Sequence, residues 1–132
     1  MHKILLVDDD REVLELNKKF FEKNKCQVEI CADAPKALEL VKTFGPECIL
    51  LDVMMPKMDG WQVCREIREM SDVPIIMLTA KSDERDELLG FELGVDEYIS
   101  KPFSPKILVA RVDAILRRSN ALTADSVIIA GK

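Results

Sequence analysis

Five short apolar runs, separated by longer stretches with helical spacing, set the tightest limit on what this chain can become. The runs fall at residues 4–7, 28–31, 48–51, 75–78 and 98–99. The first, third and fourth are almost continuously Ile, Leu, Val, Met or Cys. Strands buried on both faces read this way, and parallel sheets bury both faces. The intervening stretches predict helices near 11–24, 35–44, 60–70, 83–93 and 105–118. Their apolar positions recur at spacings of three and four: Val13, Leu16 and Phe20, then Val63, Cys64 and Ile67, then Leu108, Val112, Ile115 and Leu116. The second stretch offers Ala37, Leu38 and Val41, and the fourth Leu88, Leu89 and Phe91. Pro35 and Pro105 suit first-turn positions, with Ser104 as an N-cap, and Gly45-Pro46 and Gly94 suit helix ends.

Strands alternating with helices require right-handed crossovers and a parallel sheet covered on both faces. Five of each predict an α/β, doubly wound, flavodoxin-like sheet in the order 2-1-3-4-5. A chain of 132 residues holds one such domain. We expect it to occupy residues 1–119. Residues 120–132 read as a linker, with 127–129 as the start of a strand that has no partner in this domain.

Composition removes several function classes. The chain is 48% hydrophobic and 33% charged, a globular balance. No apolar run approaches the roughly 20 residues of a membrane span, and the N-terminal run passes straight into Asp8, so we read no export signal and expect a cytoplasmic protein. A net charge of −5 is no footprint for nucleic acid. Cys26, Cys31, Cys48 and Cys64 show no C-x-x-C spacing, and His2 is the one histidine, which argues against zinc and against His-dependent nucleophilic catalysis. The thiols read as reduced and partly buried.

The chemistry gathers at strand ends. Asp8 and Asp9 follow the first strand and Asp52 ends the third. In a 2-1-3-4-5 sheet these strands are neighbours, and their carboxyl ends form the crevice at the topological switch point. Three carboxylates converging there would repel one another, and a hard divalent cation such as Mg²⁺ is the simplest compensation. Asp10 directly precedes the first helix and reads as its N-cap. Thr79 ends the fourth strand and Lys101 follows the fifth, so a hydroxyl and an ammonium could hold the oxygens of an anion at the same rim.

These motifs, Ile4-Leu-Leu-Val-Asp8-Asp9, Leu51-Asp52-Val-Met-Met-Pro56-Lys-Met-Asp59-Gly60, Thr79-Ala80 and Tyr98-Ile-Ser-Lys101-Pro102-Phe103, occur in an order and spacing that resemble the receiver domain of two-component response regulators, a CheY-like fold. The likeness covers roughly residues 2–119. It implies that Asp52 is the phosphoacceptor, taking a phosphoryl group from a sensor histidine kinase. It implies Mg²⁺ held by Asp9, Asp52 and the backbone carbonyl of Met54, with Asp8 acting through a metal-bound water. Lys101 would pair with the phosphoryl group, Thr79 and Tyr98 would switch, Ala80 would leave the site open, and Pro56, Gly60 and Pro102 would shape the loops. A carboxylate can attack phosphorus, and such transfer needs chiefly positioning and charge neutralisation.

The stretches 90–105 and 108–118 further resemble winged-helix, OmpR/PhoB-like regulators. That likeness implies phosphorylation-dependent homodimers built on the fourth helix, fifth strand and fifth helix, a DNA-binding effector domain after residue 120, and control of transcription. Ile107 departs from the Glu usual there, and Asp113 from a basic or neutral residue, which alters the expected ion pairs. Two other classes compete. A phosphohydrolase with an Asp nucleophile needs a second acid two residues on, where Met54 stands. A flavin module needs a Gly-, Ser- or Thr-rich loop after the first strand, where three aspartates would repel phosphate. The reading is therefore a regulatory switch and not an enzyme, with no membrane partner.

Overall fold

A computed structural model describes residues 2–52, 54–55, 58–79, 94–100 and 104–130. Strands β1 (Lys3–Val7), β2 (Gln27–Cys31) and β3 (Cys48–Asp52) alternate with helices α1 (Arg11–Lys23) and α2 (Ala34–Thr43). A two-residue pair, β4 (Met54–Met55) and β5 (Met58–Asp59), follows, then α3 (Gly60–Met70), β6 (Ile75–Thr79), β7 (Glu97–Ser100) and α4 (Pro105–Ala130). The five-stranded sheet has the order β2-β1-β3-β6-β7, all parallel, as the alternation predicts. The small antiparallel pair β4-β5 was not foreseen; it joins Met54 to Asp59 and Met55 to Met58. The helix expected near 83–93 lies outside the described residues.

Two apolar layers sandwich the sheet. Alternate strand residues feed each layer, because successive side chains point to opposite faces. Leu5, Val7, Ile49, Leu51, Ile75 and Met77 pack with α2 and α3 through Ala37, Leu40, Val63, Cys64 and Ile67. Ile4, Leu6, Leu50, Ile76 and Leu78 pack with α1 and α4 through Leu14, Phe21, Leu108, Val112, Ile115 and Leu116. Helices on both faces explain why β3 is buried at every position.

Caps fix where the helices begin. The Asp10 side chain accepts from the amides of Glu12 (3.0 Å) and Val13 (3.4 Å), and Asp33 accepts from Lys36 (2.8 Å). Ser104 Oγ accepts from the Ile107 amide at 3.3 Å, the cap the sequence suggests. Two expectations are corrected. The buried positions of α1 are Leu14, Asn17 and Phe21, while Leu16 is 59% exposed. The stripe lies one residue from Val13, Leu16 and Phe20 because Leu14 and Phe21 together anchor the helix on the sheet. The strand expected to start at 127–129 is instead helix, continuous with α4. Residues 106–130 contain no Gly or Pro, so nothing interrupts the hydrogen-bond ladder.

All four cysteines are free thiols. Burial pushes the Cys48 thiol up to about 12 from its ordinary 9.0, with the Asp96 charge adding to the effect. Burial likewise raises Cys26, Cys31 and Cys64. A thiol held neutral in the fold contributes stability that is intact below its unfolded pKa and is lost as pH rises. For Cys48 that window runs from pH 9.0 to about 12. Denaturant unfolding across this range is expected to show alkaline destabilisation that is shallower in Cys48→Ala. Equal slopes in the two proteins would remove Cys48 as its source.

Candidate functional site

The site forms at the carboxyl rim of the sheet, where register decides which residues stand side by side. Val7 pairs with Leu51, so continuing by one residue brings Asp8 alongside Asp52. Neighbouring strands lie about 4.8 Å apart. Asp52 pairs with Leu78, and Thr79 pairs with Ser100. The rim therefore reads Asp8, Asp52, Thr79, Ser100 across four adjacent strands.

Burial separates the aspartates. Asp8 is 4% and Asp52 2% exposed, Asp9 is half-buried, and Asp10 is exposed at its cap. An Asp8 oxygen accepts from the Asp10 amide at 3.0 Å, and the Asp8 amide donates to the Cys31 carbonyl at 3.1 Å. These two bonds tie the acidic loop to the edge of β1 and β2. Two buried carboxylates on neighbouring strands repel strongly in a poorly solvated setting. The arrangement is tolerable where positive charge can approach.

The donor set fits Mg²⁺. It is all oxygen, with no thiol or imidazole assigned to the rim, and Mg²⁺ takes one or two carboxylates and keeps waters or phosphate oxygens. Among the described residues no three His, Cys, Asp or Glu side chains gather closely enough to hold a metal between them. Asp8 and Asp52 share the buried rim, and Asp9 follows Asp8, half-buried. Met54 begins β4, two residues after Asp52, within the pair that leads into α3. Gly60 is buried at the start of α3. Tyr98 sits on β7 beside Met77, half-buried against the α2–α3 layer. Pro56, Ala80, Lys101 and Pro102 lie outside the described residues.

Comparison with known proteins shows the family of the chain. Residues 4–113 match the response regulator receiver domain. The chain belongs to that family. Among curated relatives it is 45% identical over 119 residues to the uncharacterized transcriptional regulatory protein YclJ of Bacillus subtilis, covering 90% of this chain and 52% of that one. It is 48% identical over 118 residues to the alkaline phosphatase synthesis transcriptional regulatory protein PhoP of the same organism, covering 89% and 49%. The receiver chain thus spans about half the length of these relatives. Among solved structures, a two-component response regulator from Clostridium difficile superposes with a TM-score of 0.86 at 30% identity, covering 91% of this chain and 99% of that one. DrrB, an OmpR/PhoB homologue from Thermotoga maritima, gives 0.80 at 36% identity, covering 90% and 54%. The receiver is most like regulators of the OmpR/PhoB type, a regulatory domain whose family implies a phosphorylation-dependent switch. No helix among the described residues is long and apolar enough to cross a membrane.

Sequence reasoning passed over two residues. Asn17 is buried at 6% exposure on the apolar face of α1, and its signal was an amide inside an apolar stripe. Arg68 bridges three segments at the opposite end of the sheet, donating to the Ser71, Val73 and Gly94 carbonyls. Backbone carbonyls leave no trace in a side-chain pattern, so nothing in the sequence marked it.

Proposed function

We propose that this receiver is a Mg²⁺-dependent switch in which Asp52 accepts a phosphoryl group from a sensor histidine kinase. The observation that carries the reading is the burial of Asp52 beside Asp8 at the switch point of the sheet. An Asp52 carboxylate oxygen attacks phosphorus, the phosphorus–nitrogen bond of the donor phosphohistidine breaks, and the imidazole leaves. Bound Mg²⁺ supplies charge neutralisation for the carboxylates and the transferring oxygens. Asp9, Asp52 and the Met54 carbonyl would hold it, and Asp8 would act through a water. Lys101 pairs with a phosphoryl oxygen. The Thr79 hydroxyl gains a strong new acceptor, and Tyr98 turns inward behind it. A contact made in only one state shifts the population toward that state.

The output face is the helix expected near 83–93 together with β7 and α4, through which two phosphorylated copies pair. Ile107 is 46% exposed on α4, which gives this face an apolar residue. Arg111 lies 3.9 Å from Glu97 within one copy, and Asp113 lies 3.1 Å from Arg117. Exposed pairs of this kind contribute little each, so the apolar side chain of Ile107 is the larger attraction. DNA binding and control of transcription belong to a domain beyond residue 120, in a cytoplasmic protein. The relatives' twofold greater length and their names as transcriptional regulators support that assignment.

The test is phosphorylation by acetyl phosphate with Mg²⁺ or with a chelator, followed by mapping of the modified residue. Label on Asp52 that requires Mg²⁺ is the expected result. Metal-independent label, or label on another residue, would reject the proposal.

A further inference from the structure

We propose that Asn17 is a positioning residue for the Asp8 carboxylate, acting across a small cavity beneath the acidic rim. The buried polar side chains among the described residues are Asp8, Asn17 and Asp52. Two stand at the rim. Asn17 comes from α1, in the stripe that the helix turns to the sheet, with Leu14 and Phe21 on either side. Leu16, one position away, is left 59% exposed. The helix therefore buries an amide where an apolar side chain was to hand. Local patterns that break in this way concentrate at functional sites.

A buried amide needs a polar partner. Asp8 and Asn17 both line a cavity of about 10 Å³ whose remaining walls include Leu6, Leu50, Leu78 and Leu108. That volume is close to what one water requires. In a chamber walled by leucines, the carboxylate and the amide are natural partners across a single water. One Asp8 oxygen already accepts from the Asp10 amide at 3.0 Å. A hold from below would add to the contacts that the carboxylate already has and further restrict its rotation. Mg²⁺ demands near-ideal geometry, so groups that orient the residues around it, here Asp8 and the water it acts through, help set its affinity. The inference rests on the Mg²⁺ site proposed above and adds a residue to it from α1.

Calorimetric Mg²⁺ titration and thermal unfolding of the wild-type chain, Asn17→Leu and Asn17→Ala test it together. Leucine suits the apolar walls, so Asn17→Leu is expected to melt at or above the wild-type temperature. Its Mg²⁺ affinity is expected to fall about tenfold. Asn17→Ala, which leaves room for extra solvent, is expected to melt lower yet lose less affinity. That opposite ordering of stability and affinity is what a purely structural asparagine cannot produce. Affinity within about twofold of wild type in both variants, or affinity that tracks stability, overturns the proposal. Wild-type protein that binds no Mg²⁺, or binding that survives both Asp8→Asn and Asp52→Asn, overturns the site reading and this inference with it. Normal wild-type binding with unaffected Asn17 variants overturns this inference alone.

Discussion

Phosphoryl label from acetyl phosphate and Mg²⁺ is expected to fall at least roughly 100-fold in Asp52→Asn, because a neutral amide oxygen is a poor nucleophile toward phosphorus. The same substitution has a second, opposite effect. Asp52 is 2% exposed beside the nearly as buried Asp8, so two like charges share a poorly solvated rim. Neutralising one of them is expected to stabilise the metal-free protein by roughly 1–2 kcal/mol. Added Mg²⁺ should narrow that difference, since it compensates the charges in the wild type and has less to compensate in the variant. Denaturant melts with and without Mg²⁺, run beside the labelling assay, read both effects. A variant that is both labelled and unstable contradicts the role given to Asp52.

Arg68→Ala is expected to cost about 3 kcal/mol of folding stability, the largest loss from any single polar side chain described above. The guanidinium is 17% exposed and donates to Val73 O at 2.7 Å, Gly94 O at 2.8 Å and Ser71 O at 3.2 Å. It also lies 3.6 Å from Asp96, whose carboxylate accepts from the Ile75 amide at 3.0 Å. One side chain thereby joins the end of α3, the start of β6 and the turn before β7. Gly94 accommodates the close approach in a left-handed conformation, φ +77°, with the place of a Cβ only 3.4 Å from Arg68 Nε. Arg68→Lys keeps the charge but not the fork, and is expected to recover less than half of the loss. Chemical denaturation distinguishes the three proteins, and a lysine variant as stable as wild type would show that charge alone suffices.

The sheet was legible because its information is local. Runs such as Ile49, Leu50 and Leu51 declare a strand buried on both faces, and strand order follows from alternation plus the handedness of crossovers. The rim was legible for the same reason, since Asp8 and Asp52 stand one step past apolar runs whose pairing the topology dictates. What the sequence concealed depends on rotation and on backbone partners. A shift of one position in α1 exposed Leu16 and drew Asn17 inward, and helical periodicity alone does not resolve one residue in a stripe of five candidates. The β4-β5 pair escaped notice because two residues carry no period. The continuous α4 escaped because Asn120 to Ser126 looks polar and loop-like, although no residue there obliges a helix to stop.

Asp8, Asp9 and Asp10 are the same letter three times, yet no two of them are interchangeable. The amide of Asp10 is what steadies the carboxylate of Asp8, while the carboxylate of Asp10 begins α1 by accepting from Glu12 and Val13. Slide the triplet by a single position and the composition is unchanged, but the helix loses its start and the crevice loses its anchor. An alignment that credits any two of three acids at this point would therefore score as equal chains that differ in whether they can work at all.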